Sequence, residues 1–421
     1  MALNLNALGS LAGVRSQDDR RHDLPVMSAR PAARTEAVRR AQGRYDAVVT
    51  DVHSRSAIAG MRDLGRAGLD VLALGPQRSA AGTWSSYAAS WALAPDSVEE
   101  PAAFVRRIAE LAGDEGPFVL YPSGEPAIDA LVQFGHELPA SVTLPYADLG
   151  TLEVLRDKRA LAGLAARAGL TTPATVMEAT AAEVAASPPP IPCAVKQVLP
   201  DGALKNRTQI VLTPAQLHEL LDSLPPDEPL LIQERAEGAL TGLAVVIDRE
   251  GRLVARFQQV SRRLWPVHAG GSTLAVSVKP DEELTARAAR MLADAGFWGL
   301  AQLQFLPTPR GPGLIDVNPR FYGSMPMATA SGVNLPAAWH AVATGERTPV
   351  VGPYRVGVGY RWLEGDLTAA FNGLPGRLVT RTPRPKSGAI WASDDPLPSM
   401  ILAAEAVRVR LRRRLTGAPA I

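Results

Sequence analysis

The feature that most constrains the fold is an alternation of short apolar runs and helix-length patterns early in the chain. Runs typical of β-strands occur at residues 47–50, 71–75 and 118–121, and apolar residues with helical spacing lie between them at 58–69 and 104–111. Strands that alternate with single helices usually pair in parallel, because each helix carries the chain back across one face of the sheet. This part of the chain is therefore predicted to form a small parallel sheet.

Two segments at the carboxyl ends of these strands are candidate ligand-contacting residues. Residues 50–54 follow the first strand and residues 123–125 follow the third. Ligands of open parallel sheets bind at this edge. Ordinary strand-to-helix turns would explain the same segments equally well, so both interpretations stay open.

The middle of the chain has a different pattern. A helix passes through Leu161 and Leu164 and ends at Gly169, with Pro173 just beyond it. A proline-rich linker at residues 187–192 leads into the next strand. Strand patterns without regular alternation with helices follow at 193–198, 229–234, 243–248 and 253–260, with a helical pattern at 214–222. This part is predicted to be α+β.

Composition limits the class of protein. The 421 residues are 46% hydrophobic and 20% charged, with a formal net charge of +2, so they favour a globular protein over a nucleic-acid-binding or membrane-bound one. Cys193 is the single cysteine, which excludes an internal disulfide, and no apolar run approaches the roughly 18 residues of a membrane span. We expect a cytoplasmic protein. Residues 1–44 are expected to be a disordered tail, and Met27 is an alternative start.

Three oxygen-bearing side chains mark a candidate metal site. Asp316 and Asn318 are two residues apart and would face the same side of a strand, and Gln304 would reach them from the preceding strand. Mg²⁺ prefers such oxygen ligands and shares them with nucleotide phosphates, and the guanidinium of Arg320 suits phosphate oxygens. The spacing alone is equally consistent with a hairpin that carries polar edge residues.

The sequence around these residues resembles a known signature. Gln304-Phe305 followed by Ile315-Asp316-Val317-Asn318-Pro319-Arg320 is similar to the metal-binding motif of the ATP-grasp superfamily, especially in carbamoyl-phosphate synthetase and carboxylate–amine ligases. The resemblance implies that Gln304, Asp316 and Asn318 bind Mg²⁺ or Mn²⁺ and that Arg320 is catalytic. It departs from the motif at Asp316, where the family usually has the longer Glu. Residues 321–324 and 331–336 also resemble the segment that follows the motif in these ligases.

Two lysines match the phosphate-binding positions of the same superfamily. Lys158, in Arg156-Asp157-Lys158, resembles the lysine that opens a helix and reaches the nucleotide phosphates, although an exposed first-turn lysine is an alternative. Lys196 resembles the strand lysine that contacts the α-phosphate, and a lone cation in an apolar strand calls for an anionic partner.

The segment Gln233-Glu234-Arg235-Ala236-Glu237 resembles the superfamily's adenosine-binding connection between two lobes. By this resemblance Glu234 and Ala236 lie at the adenine and Glu237 at the ribose. A solvated turn is the alternative for Glu237. Residues 199–207 resemble the cover over the phosphates but contain one glycine and two cations, Lys205 and Arg207, where the family has several small residues.

The candidate acyl-substrate site follows next in the chain. Residues 261–266 and 269–273 resemble the part of carboxylate–amine ligases that faces the acyl group, which implies a catalytic role for Arg263 and substrate binding by Gly270, Gly271 and Ser272. Glycines allow backbone N–H groups to approach an anion closely. A plain glycine turn explains Ser272 equally well. Residues 360–366 and 391–398 either line the substrate site or only pack the last helices.

The resemblance implies a fold, a domain order and a reaction. The fold is an ATP-grasp fold, α/β and α+β, with an N-terminal Rossmann-like preATP-grasp sheet. The domains are residues 45–145 (preATP-grasp), 146–350 (ATP-grasp, with its small lobe at about 171–235) and 351–421 (C-terminal extension).

The implied activity is ATP-dependent ligation of a small carboxylate to an amine through an acyl phosphate, by a protein that binds neither nucleic acid nor membrane and is a possible homodimer. A kinase, a carboxylase and a non-catalytic nucleotide-binding protein are the alternatives.

Overall fold

The computed structural model of this protein describes residues 44–198, 208–346, 352–379, 386–404 and 408. The predicted tail at 1–44 therefore lies almost wholly outside the described residues, as does the predicted phosphate cover at 199–207. The described chain forms three β-sheets with helices packed around them. Within these ranges, no helix has the length and apolar character needed to cross a bilayer.

The first sheet is five-stranded and entirely parallel, in the order β3-β2-β1-β4-β5. Its strands are β1 (Ala47–Val49), β2 (Val71–Gly75), β3 (Ser90–Leu93), β4 (Phe118–Tyr121) and β5 (Val142–Thr143), and its helices are α1 (Arg55–Arg66), α2 (Pro101–Glu115) and α3 (Glu125–Phe134). The parallel sheet predicted from the alternating pattern is confirmed. Its central strands are buried on both faces, which explains their continuous apolar sequences.

A smaller antiparallel sheet follows, after helices α4 (Leu149–Arg156) and α5 (Lys158–Arg167). Its strand order is β6-β9-β7-β8. The strands are β6 (Thr175–Thr180), β7 (Cys193–Gln197), β8 (Gln209–Val211) and β9 (Pro229–Glu234), and the helices between them are α6 (Ala181–Ala186) and α7 (Pro214–Asp222). This sheet has its own apolar core, so it forms a separate lobe.

The third sheet is seven-stranded, in the order β14-β13-β10-β11-β12-β15-β16. Its strands are β10 (Thr241–Ile247), β11 (Leu253–Trp265), β12 (Gly271–Ser277), β13 (Gly299–Thr308), β14 (Gly311–Asn318), β15 (Gly359–Arg361) and β16 (Ser387–Gly388). Its helices are α8 (Glu282–Asp294), α9 (Pro326–Ser331), α10 (Leu335–Ala343) and α11 (Leu363–Phe371). The last two strands come from the predicted C-terminal extension, which thus contributes to the central sheet.

An aromatic cluster joins the parallel sheet to the central sheet. Tyr121, at the end of β4, stacks on Phe321 with ring centroids 5.3 Å apart and meets the edge of Trp339 at 5.0 Å. Helix α1 approaches this cluster so closely that a Cβ atom on Gly60 would lie 2.3 Å from the Phe321 ring. A glycine at this position is therefore required by the contact, and it fixes α1 against the segment that follows β14.

A buried ion pair joins the C-terminal segment to α1. Arg62 Nε donates to Asp395 Oδ2 at 2.7 Å, and the two side chains are 3% and 1% exposed. Asp395 also accepts hydrogen bonds from the Ser85 hydroxyl at 2.6 Å and the Ser86 amide at 2.8 Å. These donors lower the pKa of Asp395, although its burial acts in the opposite direction. The pair therefore holds the C-terminal segment on the first domain.

This geometry predicts that substitutions of two adjacent aspartates lower the free energy of unfolding by very different amounts. Asp395→Ala leaves Arg62 buried without its carboxylate and should lower the free energy of unfolding by about 3–5 kcal/mol. Asp394→Ala is the matched control, because Asp394 is 47% exposed and pairs with Arg66 at the surface, a contact worth about 0–1 kcal/mol. Urea unfolding followed by circular dichroism measures both. Equal losses for the two variants would contradict this assignment.

Candidate active site

The predicted metal ligands lie together on one face of the central sheet. Gln304 on β13 is directly opposite Asp316 on β14, so their side chains point to the same side. The Asn318 amide donates to Asp316 Oδ2 at 3.0 Å. On the other side of β13, Gly242 of β10 is opposite Gln304, and Gln259 of β11 is opposite Gly242. Gln259, Gly242, Gln304 and Asp316 thus form a row across four strands, here called the polar row.

A bulge in β14 connects this sheet to the small lobe. The register shifts between Gln304 and Phe305, which leaves Ile315 without a residue opposite it. The carbonyl of Ile315 instead accepts a hydrogen bond from Lys196 Nζ at 3.1 Å. Lys196 comes from β7 of the small lobe and is 8% exposed. The bulge therefore brings a buried cation to the residue next to Asp316.

The second predicted phosphate-binding lysine reaches the same carboxylate. Asp157 caps α5 by accepting from the Arg159 amide at 2.8 Å, which makes Lys158 the first helical residue. Lys158 Nζ forms an ion pair with Asp316 Oδ1. Burial, together with the nearby positive charge of Lys158, lowers the pKa of Lys196 to about 8. Two cations thus meet at adjacent residues of β14, Lys158 at the Asp316 carboxylate and Lys196 at the Ile315 carbonyl, so positive charge exceeds the charge of the one carboxylate that pairs with them.

Arg320 connects the metal ligands to the rim of the parallel sheet. Its guanidinium donates to Asn318 Oδ1 at 3.1 Å and to Glu125 Oε1 at 2.7 Å. Glu125 begins α3 and also pairs with Arg156 at 2.6 Å. Burial would raise the pKa of Glu125, but Arg320 and Arg156 outweigh it and lower the pKa to about 2. The candidate rim segment 123–125 therefore does contact the site, through its last residue.

The predicted adenosine-binding residues lie at the end of β9 and in the following loop. Gln233 faces the same side of the small sheet as Lys196, because it is opposite Ala194. Its Oε1 atom is buried and has no hydrogen-bond partner. Glu234 is half-buried and accepts from the Ala174 amide at 3.0 Å. The Oε1 atom of Gln233 is therefore a buried acceptor that could accept a hydrogen bond from a ligand.

The next three residues of this segment lie in the loop toward β10. Arg235 pairs with Glu237 at 2.7 Å, and Glu237 is 63% exposed. Ala236 lies between them and is partly buried. Their assignment to adenine and ribose stays a prediction.

Arg263, predicted to neutralise the acyl substrate, is bound to protein groups. Its guanidinium donates to the fully buried carboxylate of Asp366 at 2.7 Å and to the carbonyl of Arg377. Arg361 donates to the same Asp366 oxygen at 2.9 Å. The role assigned to Arg263 stays a prediction, but its guanidinium already pairs with a carboxylate of the protein, which it shares with Arg361.

The predicted glycine loop borders a pocket between the domains. Gly271 and Ser272 line it, whereas Gly270 lies in the turn before β12, where a Cβ atom would be 2.0 Å from the Trp265 carbonyl carbon. The pocket has a volume of about 80 Å³. It is lined by Arg55, Leu240, Gly242, Gln259, Ser261, Gly271, Ser272, Gln302, Gln304, Gly323, Ser324 and Tyr360. It therefore meets the metal-ligand set at Gln304.

Three residues of this site were not identified from the sequence. Gln259 and Gly242 complete the polar row. They could have been found only from the register of β10 with β11 and β13, which the sequence does not give. Arg55 enters the pocket from the first domain, one residue beyond the candidate rim segment 50–54. No local motif marks it, because its partners are distant in the sequence.

The residues present fit a magnesium ion. One carboxylate and two amide oxygens, from Asp316, Gln304 and Asn318, are hard donors of the type Mg²⁺ takes when phosphates complete its shell. In the ranges that the structure describes, no three His, Cys, Asp or Glu side chains cluster as metal ligands would. The mixed carboxylate–amide set is therefore the candidate for the metal.

Comparison with known proteins gives the same fold. Residues 227–366 match the family described as ATP-grasp in the biosynthetic pathway with Ter operon. No curated protein matches the sequence.

Solved structures extend the similarity to most of the chain. The biotin carboxylase domain of 2-oxoglutarate carboxylase from Hydrogenobacter thermophilus is 15% identical with a TM-score of 0.58, over 75% of this chain and 73% of that one. N5-carboxyaminoimidazole ribonucleotide synthetase from Thermus thermophilus is 16% identical with a TM-score of 0.56, over 73% and 80%. Biotin carboxylase from Campylobacter jejuni is 12% identical with a TM-score of 0.57, over 75% and 74%. The chain therefore has the fold of these ATP-grasp structures, and its residues 227–366 are similar to an ATP-grasp family.

Proposed function

We propose that this protein is an ATP-dependent ligase that activates a small carboxylate as an acyl phosphate and transfers the acyl group to an amine. The observation that carries the proposal is the convergence of Lys158 and Lys196 on the strand that holds Asp316. These cations come from two different elements, α5 and β7. Their excess positive charge suits a polyphosphate bound beside the metal ligands.

Each step of this reaction has a chemical requirement that the chain can meet. A carboxylate oxygen attacks the γ-phosphorus of ATP, the bond to the β-phosphate oxygen breaks, and ADP leaves. An amine then attacks the acyl carbon and releases phosphate. Both partners of the first step are anions, so positive charge is needed where they meet, and no nucleophilic side chain is required.

Each group of residues would have its own role in this reaction. A Mg²⁺ ion held by Gln304, Asp316 and Asn318 would neutralise charge on the transferred phosphoryl group. Lys196 and Lys158 would bind the phosphates, and the free Oε1 atom of Gln233 would accept a hydrogen bond from the adenine amino group. Arg320, held by Glu125, would stabilise charge on the reacting oxygens.

A carboxylase that uses bicarbonate is the second candidate. It is favoured by the named structural neighbours, one of which was solved with MgADP and bicarbonate and is described as a dimer. The family that residues 227–366 match is described as ATP-grasp in a biosynthetic pathway, which is compatible with either reaction. We also propose that this chain forms a homodimer, because that structural neighbour is described as a dimer. Light scattering of the purified chain tests the oligomeric state.

The reaction is tested directly with ATP, Mg²⁺ and pooled carboxylic acids and amino acids. We expect ADP and phosphate release that requires both an acid and an amine, with a product mass equal to their sum minus water. Release that bicarbonate alone supports would indicate the carboxylase. A chain that does not bind ATP, as measured by thermal shift, would refute both.

The metal assignment predicts the effect of one carboxylate. Asp316→Asn removes the only carboxylate of the set and should lower the rate of phosphate release about 100-fold or more, with partial recovery at high Mg²⁺. Asp294→Asn, at the exposed end of α8, is the matched control and should leave the rate unchanged. A rate that survives Asp316→Asn would show that the metal is held elsewhere.

The phosphate assignment predicts a loss of nucleotide affinity. Lys196→Met removes a buried charge that would hydrogen-bond to phosphate, and the Kd for ATP should rise about 10- to 100-fold. Lys279→Met is the control, because Lys279 is an exposed lysine of the same chain. Isothermal titration calorimetry with Mg·ATP measures both. Unchanged affinity in Lys196→Met would remove this lysine from the nucleotide site.

A further inference from the structure

Arg55 is held rigidly at the mouth of the interdomain pocket. It is the first residue of α1, and Ser54 caps this helix by accepting from the Ala57 amide at 3.2 Å. Further along α1, Gly60 packs against Phe321 and Arg62 is buried against Asp395. Because both contacts fix the helix, they also fix the direction in which Arg55 enters the pocket.

The guanidinium of Arg55 lies over an aromatic ring. Its central carbon is 3.5 Å from the ring centroid of Trp362, which follows β15. Cβ atoms placed on Gly271 and Gly323 would be 3.7 Å and 3.4 Å from it, which is ordinary van der Waals contact, so both backbone segments lie beside the group. A guanidinium that stacks through its face keeps its N–H groups directed outward in its own plane, where they can donate to a carboxylate in pairs.

The charge of Arg55 has no carboxylate partner in the part of the chain that the structure describes. Arg263 differs in this respect, because it shares the buried carboxylate of Asp366 with Arg361. The Tyr360 hydroxyl accepts a hydrogen bond from Arg55 and donates to the Gly323 carbonyl at 2.9 Å, and Glu364 is the acidic residue whose charge also acts on Tyr360. Among the described residues, Arg55 is therefore a positioned cation without a carboxylate in an ion pair.

The pocket provides further groups for a small polar ligand. Gln259 is 3% exposed, and its Oε1 atom has no hydrogen-bond partner. Gln304, on the opposite side of Gly242, belongs to both the pocket and the metal-ligand set. A volume of about 80 Å³ has room for several water molecules or a small acid.

We propose that Arg55 binds the carboxylate of the acid substrate, by paired in-plane hydrogen bonds, in the pocket between Trp362 and Gln304. This proposal rests on the proposed ligase function, because it names the group that brings the acid to the metal edge of the pocket. It gives Arg55 the role that the sequence assigned to Arg263. It also restricts the acid to a compact one.

Tryptophan fluorescence of the full chain provides a direct binding test, since an anion at Arg55 would change the surroundings of Trp362. The probes are acetate, bicarbonate, succinate and L-alanine, each titrated with and without Mg·ATP. At least one should give a saturable change in the wild type, and Trp362→Phe should abolish it. The Kd should rise about 10- to 100-fold in Arg55→Gln, and Arg55→Lys should bind more weakly than the wild type because it loses the planar fork.

The matched control is Arg78→Gln, which removes another arginine of the same domain that stacks on a tryptophan, 4.8 Å from the Trp91 centroid. It should bind the probe as the wild type does. Equal probe affinity in Arg55→Gln, or no binding of any of the four acids to the wild type, would overturn the proposal. Thermal stabilisation by Mg·ATP, measured on every variant, separates this outcome from failure of the ligase function. If Mg·ATP does not stabilise the wild type, the proposed ligase function fails, whatever the affinity of Arg55 for the acids.

Discussion

The pairing of β13 with β14 is the constraint on which the rest of the site depends. One register places Gln304 opposite Asp316, and the bulge at Ile315 leaves a carbonyl free for Lys196. A shift of one residue would turn Asp316 toward the other face of the sheet and separate it from Gln304. The same backbone feature therefore positions the metal ligands and links the central sheet to the small lobe.

The two ends of the site each carry positive charge that the described residues do not fully pair. On the nucleotide side, Lys158 pairs with the carboxylate of Asp316, and Lys196 reaches only the neighbouring Ile315 carbonyl. Burial of Lys196 lowers its pKa. On the substrate side, Arg263 and Arg361 pair with Asp366, whereas Arg55 is not paired with a carboxylate among the described residues. An anion at each end of the polar row would complete the balance. This distribution supports a reaction in which two anionic groups are brought together.

Much of this was predictable from the sequence, for reasons that depend on distance along the chain. Local patterns predicted three of the five strands of the parallel sheet, β1, β2 and β4, and the helix through Leu161 and Leu164, because apolar spacing acts within a few residues. The grouping of Gln304 and Asn318 with Asp316 came from the resemblance to a known motif, because their spacing alone is equally consistent with a hairpin that carries polar edge residues. The role of Arg55 depends on Trp362, about three hundred positions away, and no pattern of one segment contains that information. The partner of Arg263 was missed for the same reason.

The central claim is that a carboxylate is activated by phosphorylation, and isotope transfer tests it most directly. An acid that supports turnover is labelled with ¹⁸O in both carboxylate oxygens, and the released phosphate is analysed by mass spectrometry. The acyl phosphate route predicts one ¹⁸O atom in each phosphate, because the oxygen that attacks phosphorus stays with it. Unlabelled phosphate, or label found in AMP, would contradict the account.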